Sequence, residues 1–209
     1  MNEEKHRRKN ILKWNRWAET YDRDDRTYAY LRDSQDKILG MLPLHEGIHF
    51  LDVGCGTGRS LEEAAKRING AGQFYGVDIS PAMIEKAIDR FRGKIGFHVA
   101  VATAEEIPLP GGYFDVIICT NSFHHHFHPQ KSMNEFSRLL KTGGRVYILD
   151  PTADTRFARF IDFFIRMFEP EHVKLYSTRE FQNYFTRAGI AYRESIVLKQ
   201  FQKVHIGEK

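Results

Sequence analysis

The sequence predicts a three-layer α/β domain, a seven-stranded and mostly parallel sheet with helices on both faces, closed by an antiparallel strand pair at its C-terminal edge. Three observations predict it. From residue 48 to residue 149 short β-rich runs alternate with helical periodicities, the pattern of parallel strands joined by crossover helices. The stretch Leu51-Asp52-Val53-Gly54-Cys55-Gly56-Thr57-Gly58 places a glycine-rich turn directly after the first strand, and Gly76-Val77-Asp78 ends the next in an acid. The final two runs, Ile190 to Val197 and Phe201 to Ile206, are separated too narrowly for a crossover and so form a hairpin.

Residues 10 to 42 read as helical. Ile11, Trp14, Trp17 and Tyr21 recur three or four apart, then Leu31, Ile38, Leu39 and Leu42 on a second face, before Pro43 and Gly47 close the region. The alternation follows: strand Ile48 to Val53, helix Ser60 to Ile68, strand Gln73 to Val77, helix Pro81 to Phe91. Ser80 before Pro81 suits an N-cap with proline in the first turn. Strands follow at Gly96 to Val101, Tyr113 to Cys119 and Arg145 to Leu149, with a helix at Gln130 to Leu140 ended by the turn Lys141-Thr142-Gly143-Gly144. A helix at Thr178 to Ala188, capped by Gly189, precedes the hairpin. Residues 151 to 176 break the alternation with one predicted helix carrying Phe157, Phe160, Phe163, Phe164 and Phe168.

The bulk properties exclude several classes. A chain of 209 residues fits one domain able to bury a core without disulfides or metals. Its two cysteines, Cys55 and Cys119, fall in predicted core segments at the ends of neighbouring strands; buried small hydrophobes in a reducing setting is the simpler reading, a redox pair the alternative. No run approaches the ~20 apolar residues of a membrane span, and no signal-peptide core is present, so a cytoplasmic protein without stable membrane insertion is expected. The net charge of +4 is mild, and Lys5, Arg7, Arg8 and Lys9 read as a solvated, frayed arm rather than a nucleic-acid contact.

The glycine spacing speaks to the ligand. A dinucleotide fingerprint runs G-x-G-x-x-G so that a pyrophosphate can sit at the helix N-terminus. Here Gly54, Gly56 and Gly58 alternate and position 59 is Arg, a tighter turn expected to expose its backbone amides to a compact ligand without a diphosphate. Asp78 can accept hydrogen bonds from both hydroxyls of one ribose, each charge-assisted bond contributing roughly 1.5 to 3 kcal/mol.

At these residues the chain resembles the class I S-adenosylmethionine-dependent methyltransferases. Leu51 to Gly58 is similar to that family's first motif, Gly76-Val77-Asp78-Ile79-Ser80 to its second, Phe114-Asp115-Val116-Ile117 to its fourth strand, and Leu139 to Arg145 to the turn before its fifth. Trp17-Ala18-Glu19-Thr20-Tyr21-Asp22 resembles the opening of the small-molecule (type 11) subgroup that includes the ubiquinone and menaquinone biosynthesis C-methyltransferases. The resemblance implies a Rossmann-like sheet and S-adenosyl-L-methionine as cofactor. It implies that Gly54, Cys55 and Gly56 line the methionine part, with Gly58 in the same turn, that Asp52 orients it, and that Asp78 holds the ribose with Ile79 and Met83 beside the adenine. Thr103-Ala104 stands where the subgroup often has Asp-Ala, leaving one hydroxyl and no charge for the adenine amino group. Thr120 closes the fourth strand at the site, and Tyr21 folds over the cofactor if the first helices form a lid; a stacking partner for Trp14 and Trp17 is its other reading.

Chemistry at the acceptor points to Asn121-Ser122-Phe123-His124-His125-His126-Phe127-His128, after the fourth strand, where the crevice of such a sheet opens. Histidine titrates near neutrality, so His125 first and His124 next are the candidate general bases; related small-molecule enzymes carry a His-His pair here. The alternative is that these side chains cap the loop or pack under the cofactor. No cysteine or acid lies at a familiar metal-ligand spacing nearby, so no metal site is assigned. In the 151 to 176 segment Phe157, Phe160, Phe164 and Phe168 share a face expected to cover an apolar or aromatic acceptor, with a core helix, a dimer contact or an interfacial membrane helix as alternatives.

The organisation expected is one domain over 1–209: a helical lid at 1–45, a cofactor-binding core at 46–150, an insertion with a cover helix at 151–176, and a C-terminal helix and strand pair at 177–209. The expected function is transfer of a methyl group from S-adenosylmethionine to a small apolar or aromatic molecule by in-line displacement. A non-catalytic cofactor-binding sensor or scaffold, and an RNA methyltransferase, are the alternatives; no Asn-Pro-Pro-Tyr type motif follows the fourth strand, and two cysteines do not suffice for arsenite methylation.

Overall fold

The computed structural model describes residues 3–21, 25–168, 172–199 and 201–209, which leaves Asp22 of the opening segment outside the described residues. Helices α1 (Glu3–Ala18) and α2 (Asp25–Leu39) lead into strand β1 (Ile48–Val53), α3 (Arg59–Lys66), β2 (Gly72–Asp78), α4 (Pro81–Phe91), β3 (Phe97–Val101) and β4 (Phe114–Thr120). A single 3₁₀ turn at Phe123–His125 precedes α5 (Pro129–Leu139), β5 (Leu140–Pro151), α6 (Arg156–Phe168), α7 (Thr178–Arg187), β6 (Ala191–Lys199) and β7 (Gln202–Glu208).

The sheet runs β3-β2-β1-β4-β5-β7-β6, parallel through β5, with β7 antiparallel to both β5 and β6. Both faces of the central strands are covered, which is why β1 and β4 are buried along nearly their whole length rather than at alternate residues. On one face Ile38 and Leu39 of α2, Leu61 of α3, and Ala87 and Phe91 of α4 pack on Phe50 and Phe74. On the other, Met133 and Phe136 of α5 and Phe181 and Phe185 of α7 pack on Phe114, Ile117 and Ile148. From β1 the order runs outward through β2 on one side and β4 on the other. This reversal opens a crevice above the carboxyl ends of β1 and β4, where sheets of this kind hold ligands.

Local signals hold at most boundaries. The Ser80 hydroxyl accepts from the Met83 amide at 3.2 Å and Pro81 fills the first turn of α4. Ser177 and Glu180 form a reciprocal capping box on α7. The turn at Lys141 to Gly144 lies inside β5, where pairing with β4 slips between Phe114 and Val116. The frayed arm is a correction: α1 starts at Glu3, and Lys5, Arg7, Arg8 and Lys9 are helical. The helical run expected over residues 10 to 42 is correspondingly two helices. Hydrophobic periodicity could not show the first turns, because the residues α1 buries there are the polar His6 and Asn10. Among the described residues no helix is long and apolar enough to cross a membrane.

Candidate active site

The glycine turn after β1 is tied to the end of β2. The amides of Gly54 and Cys55 both donate to the Val77 carbonyl, at 2.8 and 3.0 Å. The Gly56 amide donates to Asp78 Oδ2 at 2.9 Å, and the Ser80 amide to Asp78 Oδ1 at 2.9 Å. The expectation that this turn offers its amides to a ligand is therefore corrected: those of Gly54, Cys55 and Gly56 lock the turn to β2. What it offers instead is room. Gly54, at φ +77°, has no space for a side chain, since a Cβ there would lie 2.3 Å from Ser122 Oγ and 2.7 Å from Ser122 Cβ. Gly58, at φ +82°, meets Phe91 of α4 in the same way at 2.6 Å. Only at Gly56 is the Cα face open, bounded by Tyr21 and Met83 near 4 Å.

A cavity of about 540 Å³ runs from this turn to the histidine loop. Tyr21, Gly54, Gly56, Asp78, Ile79, Met83, Thr103, Ala104 and Thr120 line it, together with both candidate bases, His124 and His125. Three expected cofactor residues do not: Asp52, Cys55 and Gly58 lie behind the lining. Cys55 packs its sulfur toward Gly76, and burial pushes its thiol well above the ordinary range, as it does for Cys119. Both cysteines are free. Gly58 serves close packing of α3 and α4 rather than contact with a ligand.

The two acids of this end differ. Each oxygen of Asp78 accepts one amide and keeps capacity for a further donor, as a carboxylate with about four lone-pair sites can. Burial raises its pKa, opposed by the amides of Ser80, Gly56 and Ile79. Asp52 is 1% exposed and neither oxygen has a partner. Burial first, and the charge of Asp78 second, push its carboxyl up to about 8. A buried acid lacking donors beside a cavity fits a site built for a positively charged ligand.

At the other end, Phe123 is fully buried against Phe136, Tyr176 and Phe181, and its anchoring turns the next two residues toward the cavity. His124 donates from Nδ1 to Asp150 Oδ1 at 2.8 Å, so its Nε2 carries the lone pair. His126 departs from the pair: burial lowers its pKa to about 4, which leaves it a neutral packing residue. His128 lies at the rim, 3.1 Å from Glu3. The packing alternative fits His126, although it too touches the cavity. His172, which no sequence pattern singled out, completes the wall and donates from Nε2 to Asp162 Oδ1 at 2.7 Å. The nearest signal for these partners was Asp150 at the end of a strand; His172 and Asp162 had none.

Helix α1 roofs the cavity. Asn15 Oδ1 accepts from Ser80 Oγ at 2.7 Å and from the Ala82 amide at 3.3 Å, pinning α1 to the start of α4. His6 Nε2 donates to the His125 carbonyl at 3.1 Å, and the Trp14 ring stands edge-on to His125 with centroids 5.4 Å apart. The Tyr21 ring lies tilted against that of Trp17, with centroids 6.2 Å apart, and Tyr21 also lines the cavity. From α6 the lining residues are Phe157, Ala158, Ile161 and Ile165. This corrects the expected face: Phe160, Phe164 and Phe168 do not line the cavity, and they are exposed with Phe163 and Met167.

The sheet order, the β1 turn tied to an acid at the end of β2, and the cavity at the strand reversal define a nucleoside-binding α/β enzyme. Comparison with known proteins sharpens this. A family model described as a methyltransferase domain matches residues 44–189. The uncharacterized methyltransferase YcgJ of Bacillus subtilis is 30% identical over 148 residues, 69% of this chain and 57% of that protein. A demethylmenaquinone methyltransferase of Tropheryma whipplei is 31% identical over 168 residues, 79% of this chain and 69% of its own. The chain belongs to the class I S-adenosylmethionine-dependent methyltransferases. Among solved structures, a putative methyltransferase of Haloferax volcanii in complex with the Trm112 activator aligns with a TM-score of 0.80 at 18% identity, covering 93% of this chain and 96% of that one. The crystal structure of YcgJ aligns at 0.73 and 21%, covering 85% and 98%. At such identities the likeness concerns the fold. The chain spans about half the length of several curated relatives it matches.

Proposed function

We propose that this protein transfers a methyl group from S-adenosylmethionine to a small apolar or aromatic acceptor bound between α1, α6 and the histidine loop. The observation that carries the reading is the continuity of the cavity, which joins Gly56 and Asp78 at one end to His124 and His125 at the other beneath Trp14, Phe157 and Ile161. When bound, the cofactor supplies an electrophilic methyl group on a positively charged sulfur. Asp78 would hold the ribose hydroxyls, Ile79, Met83 and Ala104 the adenine with Thr103 at its edge, and the open face of Gly56 the methionine portion under Tyr21. Asp52 sits behind the turn, outside the cavity lining, as a buried acid whose ionised form that positive charge would favour. The apolar wall orients the acceptor, and orientation alone can remove roughly 7 to 11 kcal/mol from a barrier in the best cases. The acceptor loses its proton at the His124 and His125 pair. His124 is the better placed of the two, because Asp150 fixes its tautomer with the Nε2 lone pair free of the proton. Names of relatives such as demethylmenaquinone methyltransferase favour a ring acceptor of quinol type.

The test has two parts. S-adenosylhomocysteine at about one hundred times its Kd adds about 2.7 kcal/mol of stability, a rise in Tm on the order of 5–10 °C for a domain of this size, and Asp78→Ala removes most of it. A melt that stays unshifted at millimolar ligand overturns the cofactor assignment. A screen of quinols, phenols, amines and RNA with methyl-labelled cofactor then yields label on a ring acceptor. Binding without turnover on any acceptor would make the chain a cofactor sensor.

A further inference from the structure

We propose that His124, His125 and His172 form a binding site for a divalent transition ion of the zinc class. One ligand nitrogen from each histidine lies within 4.8 Å of the others, and they are the one group among the described residues that could hold such an ion. Three nitrogens around a tetrahedral ion at 2.0–2.1 Å stand about 3.4 Å apart, so modest ring rotations close the set. The tautomers suit the task. Asp150 takes the Nδ1 proton of His124 and Asp162 takes the Nε2 proton of His172. A carboxylate behind each of two ring ligands is the carboxylate–histidine–metal arrangement that orients ligands and raises their basicity.

The supporting framework is fixed rather than incidental. The Val173 amide donates to the His124 carbonyl at 3.1 Å, His6 donates to the His125 carbonyl at 3.1 Å, and the Leu175 amide donates to Asp162 Oδ1 at 2.8 Å. Charge points the same way. Asp150 is fully buried, has His124 as its partner and keeps Oδ2 unpartnered, while Asp162 is 6% exposed with Arg166 only at 3.8 Å. Two buried carboxylates facing a histidine set are compensated by a cation held between the rings. Imidazole-only coordination selects zinc, copper, nickel or iron over magnesium or calcium, which take oxygen.

His124, His125 and His172 all line the cavity, so an ion held by them would leave a coordination position open to it, as in catalytic rather than structural sites. Such an ion would act as a Lewis acid on an acceptor hydroxyl or thiol that takes the place of a water on it, favouring loss of the O–H or S–H proton to solvent. In the loaded site the ion therefore draws off the proton that the free imidazole would otherwise take. This role, unlike the site itself, rests on the function proposed above.

Tag-free protein stripped with chelator and titrated with Co²⁺ reports on the site directly through visible absorption and elemental stoichiometry. One equivalent binds, zinc displaces it, His172→Ala weakens binding at least 100-fold, and Asp162→Asn weakens it 10- to 100-fold. His128→Ala at the rim leaves it unchanged. Should His172→Ala prove insoluble, His172→Gln serves, with retained S-adenosylhomocysteine stabilisation as the check on folding. Cobalt binding that survives His172 substitution, or that falls with His128→Ala, is adventitious and overturns the site. Cobalt binding at the triad in a protein that ignores S-adenosylhomocysteine sustains the site while sinking the proposed function.

Discussion

At the Asp78 end of the cavity the backbone does the building, whereas at the histidine end side chains from four separate elements do it. The β1 turn is locked by amides on Val77 and Asp78, and two of its glycines, Gly54 and Gly58, are required by a close approach to Ser122 and to Phe91. The histidine end gathers Trp14 from α1, His124 and His125 from the loop after β4, Ile161 from α6 and His172 from beyond it. A backbone-built site tolerates little change in sequence and keeps one ligand. A side-chain-built site can change its acceptor without disturbing the sheet.

The substitution that breaks this division most severely is Gly54→Ala, because Gly54 is where the two ends touch. Its left-handed φ costs a Cβ about 1–2 kcal/mol and overpacking against Ser122 adds about 1–3. We expect a fall in Tm on the order of 10 °C together with a loss of S-adenosylhomocysteine affinity of at least tenfold by calorimetry. Displaced Ser122 also carries the histidine loop with it. If cofactor affinity holds at the wild-type value, the turn is not the determinant described here.

That difference also explains what was legible in the sequence. Gly54, Gly56, Gly58 and Asp78 were readable because a backbone device needs a particular residue at a particular spacing, and the strand-helix alternation that carries them is a local periodicity. Even there the reason differed for Gly58, which packs on Phe91, and for Gly54, whose amide faces Val77. His124 and His125 were readable from their place after β4. Asp150, Asp162 and His172 were not, since their meeting depends on how β5, α6 and the following segment cross, which no spacing encodes. The start of α1 was missed for the same reason: what it buries are His6 and Asn10, polar groups whose partners belong to a distant loop.

A smaller effect comes from Asp52, whose carboxyl is raised to about 8 by burial and by Asp78. A group with its folded pKa above its unfolded value of about 3.9 binds more protons in the native state. Stability therefore falls as pH climbs from about 4 to 8, on the order of 4 kcal/mol by neutrality. Buried His126 and His205 act oppositely, with folded values of about 4 and about 3, and add stability as pH rises toward 6.5. The difference between Asp52→Asn and wild type isolates the acid. The Tm of the ligand-free variant should gain on wild type steadily between pH 5 and 8, while its cofactor binding weakens. A gap independent of pH would assign the missing charge elsewhere.

The mildest substitutions test the acceptor end through the two faces of α6. Ile161 turns toward the cavity, while Phe163 is 60% exposed and does not line it. An acid at position 161 places a charge in the apolar wall, where an unpaired carboxylate must be desolvated whenever an acceptor binds. Ile161→Asp should raise the acceptor KM by at least tenfold and leave S-adenosylhomocysteine stabilisation intact, since α6 contributes nothing at the Asp78 end. Phe163→Asp, on the outward face, should alter stability by no more than about 0.5 kcal/mol and leave both constants for a water-soluble acceptor unchanged. Equal losses from the two substitutions would mean that α6 acts as a whole, through an exposed Phe160, Phe163 and Phe168 surface, rather than through the face it turns to the cavity.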